Sequence, residues 1–170
     1  MYRMNKLLYQ WIRESKNDNS LLSDNIRVLN QLELNEQVPH ARKINFTPVV
    51  DFENPGTIVV TIPALQPSKD IVCPGHTNKI ELHIISARCN TEPVQTRAYL
   101  AQSEKKILMD FGSIYKEQTI ELPLKTFPKD IVVVAIGVKF VLRDGFSELI
   151  SFDKSWLPGK IIGAMWKNEM

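Results

Sequence analysis

Cysteine and histidine are scarce in this chain of 170 residues: Cys73 and Cys89 are the two cysteines, and there are three histidines. Both cysteines and two of the histidines fall in one window, IVCPGHTNKIELHIISARCN (71–90). A structural zinc site wants four ligands, usually as two closely spaced pairs. The order Cys73-x2-His76-x6-His83-x5-Cys89 supplies one close pair, Cys73 with His76, and no second. A nucleophilic thiol needs a base held against it, and no supporting motif surrounds that pair. A disulfide closing the loop from 73 to 89 would contribute about 3 kcal/mol. Without an export signal, two free thiols are the expectation. G-x-S-x-G, the Walker loop, G-x-G-x-x-G, H-E-x-x-H and the EF-hand loop are all missing. No catalytic residue, no cofactor and no metal are therefore expected.

An excess of one charge is also lacking. Lys+Arg 21 against Asp+Glu 19 leaves a net charge of +2, too balanced to imply a nucleic-acid partner, and no window concentrates more than a few basic residues. No apolar run reaches the ~18 residues of a membrane span. The start, MYRMNKLLYQWIRESKNDNS, has neither the unbroken apolar core nor the small-residue cleavage site of a signal peptide. With Met1 as the natural start, the expected location is the cytoplasm. Asp51 and Glu53 beside Asn54–Pro55–Gly56 are explained by turn chemistry. Trp156 and Trp166 leave one alternative open, a carbohydrate-binding accessory domain, if either offers a flat exposed ring.

What the chain does have is pattern. Met1, Met4, Leu7, Leu8, Trp11 and Ile12 recur at helical spacing, and Leu22, Ile26, Leu29 and Leu32 repeat it after a polar break. From residue 44 the periodicity changes to that of strands. TIVVTI (57–62), KIELHIISARC (79–89), VQTRAYLA (94–101), KILMDF (106–111), TIELPL (119–124), DIVVVAIGVKFVLRDG (130–145), SELISF (147–152) and IIGAMW (161–166) are the expected strands. QSEKK reads as a turn, and the change of apolar parity in the second of these strands suggests a bulge near 84–85. Ile58, Val60, Ile62, Ile80, Leu82, Ile84, Ile120, Leu122, Val132, Val134, Ile136, Val138 and Phe140 are expected to share one core. The fold class is mainly β: an antiparallel immunoglobulin/fibronectin-like β-sandwich of about seven to eight strands with a short N-terminal helical arm. Residues 1–43 would be helical arm and linker, and 44–170 the sandwich.

The order of elements, and TIELPLKTFPKDIVVVAIGVKFVLRDG most specifically, resembles uncharacterised bacterial proteins in which a helical segment precedes an immunoglobulin/fibronectin-like β-sandwich. The resemblance spans about residues 44–152 and implies no catalytic residue. The functional expectation is a non-enzymatic protein-binding or assembly module, with a protein partner or self-association. Short helices are marginal alone in water, so the stripe Leu7, Leu8, Trp11 and Ile12 needs a surface, and a second chain is the one expected. Val133, Ala135 and Val141, on the outward face of the 130–143 strand, are more apolar than an exposed face needs, so that face is either covered by the arm or, as part of the expected partner surface, offered to a partner.

Overall fold

The protein is described by a computed structural model over residues 26–30, 32–35, 37–54, 56–90 and 101–167. Eight strands form two antiparallel sheets. The smaller has the order β1-β2-β5, with β1 Val49–Asp51, β2 Thr57–Ile62 and β5 Gln118–Pro123. The larger has the order β4-β3-β6-β7, with β3 Thr77–Asn90, β4 Ala101–Asp110, β6 Asp130–Asp144 and β7 Ser147–Ile150. The last strand, β8 (Gly159–Trp166), pairs with β6 on the same side as β7: β8 along Ile131–Gly137, β7 along Val141–Asp144. The connection from β2 to β3 carries one helical turn, α1 (Pro67–Asp70).

Strict alternation in β2 turns Ile58, Val60 and Ile62 inward, where they meet Ile120 and Leu122 of β5. The even-numbered residues of β3 and β6, from Ile80 to Ile84 and from Val132 to Phe140, face them from the larger sheet. All thirteen residues expected in the core lie in this one cluster. Gly163 closes one corner of the sandwich. A Cβ there would stand 3.0 Å from Val50 Cβ and 3.1 Å from Phe52, so a bare backbone lets β1 approach β8.

The larger sheet is buried on its outer face as well, over half its length. Ile131 and Val133 of β6 pack with Ile161 of β8 and with Ile26 and Leu29, which lie in a single 3-10 turn, Ile26–Leu29. Residues 32–34 then run along the free side of β8. Leu34 N donates to Gly159 O at 2.7 Å, and Ile161 N to Leu32 O at 2.9 Å. Ile26, Leu29, Leu32 and Leu34 thus lie against the chain's own sheet, while the stripe expected to meet a second chain lies outside the described residues. The stretch 132–136 is apolar at every position because both of its faces need cover.

Two local expectations differ from the structure. QSEKK is no turn: residues 101–110 form one strand, paired with β3 from Arg88 to Lys79. Its polar composition is that of a solvated edge, where a neighbouring strand supplies the ladder whatever the outward side chains are. Nor is there a bulge at 84–85. Register with β6 is unbroken from Lys79 to Asn90 and shifts between Thr77 and Lys79. Ala87 and Cys89 are buried because the outer face is covered there, so alternation of burial fades while alternation of direction persists. The expected 94–101 strand, apart from Ala101, and the first helix lie outside the described residues.

At the far end of β3 a polar clamp holds the β5–β6 turn. Asp130 is fully buried and accepts from Arg88 Nη1 at 3.1 Å, Asn90 Nδ2 at 3.0 Å and Phe127 N at 2.8 Å. The Arg88 guanidinium lies over the Phe127 ring, 4.6 Å from its centroid. Removing one partner of such a pair strands the others without water. Asp130→Ala is expected to lower unfolding free energy by about 3–5 kcal/mol, read from urea titrations. Asp130→Asn, which keeps an acceptor, should cost less. A loss below about 1 kcal/mol for Asp130→Ala would show that the clamp is not structural.

Candidate functional site

The four Cys/His positions of the 71–90 window are spread apart. Cys73 is half-buried in the loop after α1, and its sulfur donates to Ile71 O at 3.2 Å. Burial pushes its thiol up to about 11, against the opposing pull of Lys43, so it stays protonated at neutral pH. His76 occupies a left-handed turn position, φ 63°, and its carbonyl accepts from Arg143 N. Cys89 is buried at the opposite end of β3, and burial first, then Asp130, raises its pKa. Both thiols are free. His83 stands on the outer face of β3, where its Nε2 lies 3.0 Å from Glu104 Oε2. That hydrogen bond holds the Glu104 carboxyl below its ordinary value. Among the described residues, no group of three or more His, Cys, Asp or Glu side chains gathers as metal ligands would.

Trp156 and Trp166 are both half-buried. Trp156 meets Phe140 edge-on at 6.4 Å between centroids, and Lys43 Nζ sits 3.7 Å from its ring centroid. Trp166 packs beside Ile131 and Val133. Neither ring is fully exposed and neither is fully buried. No helix among the described residues is long and apolar enough to cross a membrane.

Of the expected partner surface, Leu7, Leu8, Trp11 and Ile12 lie outside the described residues. Val133 and Ala135 are buried, so of the two expectations for that face, cover by the arm or contact with a partner, the structure has the first: Ile26 and Leu29 pack on it with Ile131, Val133 and Ile161. Val141 is half-buried and pairs with Ile150 of β7.

That pairing leads to the surface that pattern reading missed. Phe146 is fully exposed, Phe152 is 76% exposed, and Leu149 and Ile150 are 55% and 47% exposed. All four lie within seven residues on a hairpin at the sheet's margin, and every residue of β7 is exposed. The two-residue turn follows from Gly145, φ 59°, a conformation that glycine adopts freely. Phe146 occupies the other turn position, where a polar residue is usual. That was the available signal: a bulky aromatic in a turn that needs none. The return is held by hydrogen bonds. Asp153 accepts from Ser155 N at 2.9 Å, and Asn35 Nδ2 donates to Lys154 O at 2.7 Å and Leu157 O at 3.1 Å.

The other outer strands are blunted. β4 carries Glu104, Lys105 and Lys106, β5 ends in Pro123, and β1 has three residues. Charge, proline and brevity are the usual protections of a sheet edge. β7 has one charge, Glu148, and that is matched by Lys79 at 2.9 Å and Asn78 at 2.7 Å.

Protein-family models, curated proteins and solved structures were searched, and none matches the chain. Its own geometry must carry the functional reading.

One buried group makes a separate, measurable statement. His40 is fully buried, and neither ring nitrogen has a hydrogen-bond partner among the described residues. Its backbone N donates to Glu33 Oε2 at 2.7 Å. Burial first, then the charge of Lys160, lowers its pKa from 6.5 to about 4. The unfolded chain therefore binds a proton near pH 6.5 that the native state refuses until about pH 4. Stability is full above pH 6.5 and falls through that window, by about 2–3 kcal/mol at pH 4.5. His40→Leu should flatten this part of a stability-versus-pH curve from urea midpoints. Equal slopes in both proteins would contradict the assignment.

Proposed function

We propose that this chain is a non-enzymatic assembly module whose contact surface is the β7 edge, with Phe146, Leu149, Ile150 and Phe152 as its apolar anchors. One observation carries the reading: the outer strand whose single charge, Glu148, is already held by Lys79 and Asn78 exposes Leu149 and Ile150, with exposed Phe146 and Phe152 at its two ends. An unpaired strand edge is a template for another strand. Clustered apolar exposure marks an interaction site where scattered exposure does not.

The arrangement of the sheets supports an immunoglobulin/fibronectin-like reading of the sandwich. First, second and fifth strands form one sheet; fourth, third, sixth and the last strand position form the other. That last position is divided between β7 and β8. In this reading the scaffold fixes β8 beneath the N-terminal segment and leaves β7 as its working edge.

Self-association is the form of assembly tested. Ile150→Lys puts a charge on the edge, the device that most sheet edges use against pairing. In light scattering at ~10–100 μM, the unaltered protein should run above monomer mass and Ile150→Lys at monomer mass. The melting temperature of the variant at low concentration should be unchanged, since exposed positions rarely move stability by more than about 0.5 kcal/mol. A strictly monomeric unaltered protein, or a variant that assembles equally well, would contradict the proposal.

A further inference from the structure

The geometry points to a specific self-complementary contact, resting on the reading above: we propose that β7 pairs antiparallel with β7 of a second copy about a two-fold axis through Leu149. The direction of the backbone groups sets the choice of register. Ser151 N donates to Phe140 O at 2.8 Å, and β7 pairs Leu149 with Leu142 and Ser147 with Asp144. Hydrogen-bonded positions alternate along an antiparallel strand. Residues 147, 149 and 151 therefore turn their N–H and C=O groups toward β6, and Glu148 and Ile150 turn theirs outward.

A two-fold axis at Leu149 sets Glu148 of one copy opposite Ile150 of the other, twice. Each of those pairs exchanges two backbone hydrogen bonds, and every outward group of the strand is used. Leu149 then faces itself in the close, non-hydrogen-bonded position. On that side it adjoins Leu142, which packs against the main core, so the apolar interior continues across the axis. On the opposite face, Phe146 of each copy comes beside Phe152 of the other, next to Ile150 and Val141. The register centred on Glu148 would instead set that carboxylate against its own copy, which is destabilising. The register centred on Ile150 would place Phe146 beyond the partner's Phe152, opposite Lys154. Charge does not oppose the Leu149 register, because Glu148 already has Lys79 and Asn78 as partners. A two-fold contact of this kind closes at two copies, and the larger sheets join into one continuous sheet.

Cysteine scanning on the full chain separates this register from assembly in general. Directly opposite residues bring their Cβ atoms to within ~4.5–5.5 Å, close enough for a disulfide after small adjustment. Under a mild oxidant, Leu149→Cys should convert most of the protein to a covalent dimer on a non-reducing gel. Glu148→Cys alone and Ile150→Cys alone should stay monomeric there. An equimolar mixture of those two variants should cross-link, with Leu149 kept intact. The unaltered chain, with its two native thiols, is the control. If scattering shows a dimer while neither Leu149→Cys nor the mixture cross-links, this register is wrong and the assembly reading stands. If no dimer forms at any concentration, both are overturned.

Discussion

The burial of β6 on both faces is the constraint from which the rest of the structure follows. Its even residues, Val132 to Phe140, fill the space between the sheets, and its odd residues Ile131 and Val133 need a second cover. That cover is built from residues 26–34 and β8, and it stops where β6 begins to alternate. Beyond Gly137 the odd positions are Lys139, Val141 and Arg143, none of them buried. The strand therefore runs from a double-sided core at one end to a solvated hairpin at the other.

This gradient explains why one margin of the sheet is open. The neighbour of β6 near its start is β8, whose own free side is closed by Leu32 and Leu34. Near its end the neighbour is β7, and nothing among the described residues lies along its outer side. Apolar residues at such a place are costly in an isolated molecule, because they raise the risk of uncontrolled pairing without adding to a core. A contact that uses them removes the cost. The hairpin does not gain its stability from that contact: the β6 ladder and the anchored 153–157 turn hold it already. It can therefore present a preformed strand, which reduces the ordering cost of association.

Much of this fold was legible from period alone. Inward alternation in TIVVTI, KIELHI and TIELPL, with the apolar stretch VVVAIGVKF (132–140), points to all thirteen expected core residues. Failures arose where composition depends on position in the sheet. QSEKK has the composition of a turn because β4 lies at a margin. Val133 and Ala135 looked like surplus surface because a single sequence does not say what lies over a strand. Leu149, Ile150 and Phe152 have the pattern of an ordinary return strand, and the one mark of exposure in the sequence is the bulky Phe146 in the turn before it. Exposure is a property of neighbours, and among the described residues β7 has none along its outer side.

Amide hydrogen exchange within β7 tests the central claim most directly. In the single chain, Leu149 N–H lies in the β6 ladder, whereas the N–H groups of Glu148 and Ile150 point outward. The account predicts that exchange at Glu148 and Ile150 slows at least tenfold as protein concentration rises through the assembly range, while Leu149 changes little. Rapid, concentration-independent exchange at Glu148 and Ile150, in protein that scattering shows to be assembled, would place the contact elsewhere.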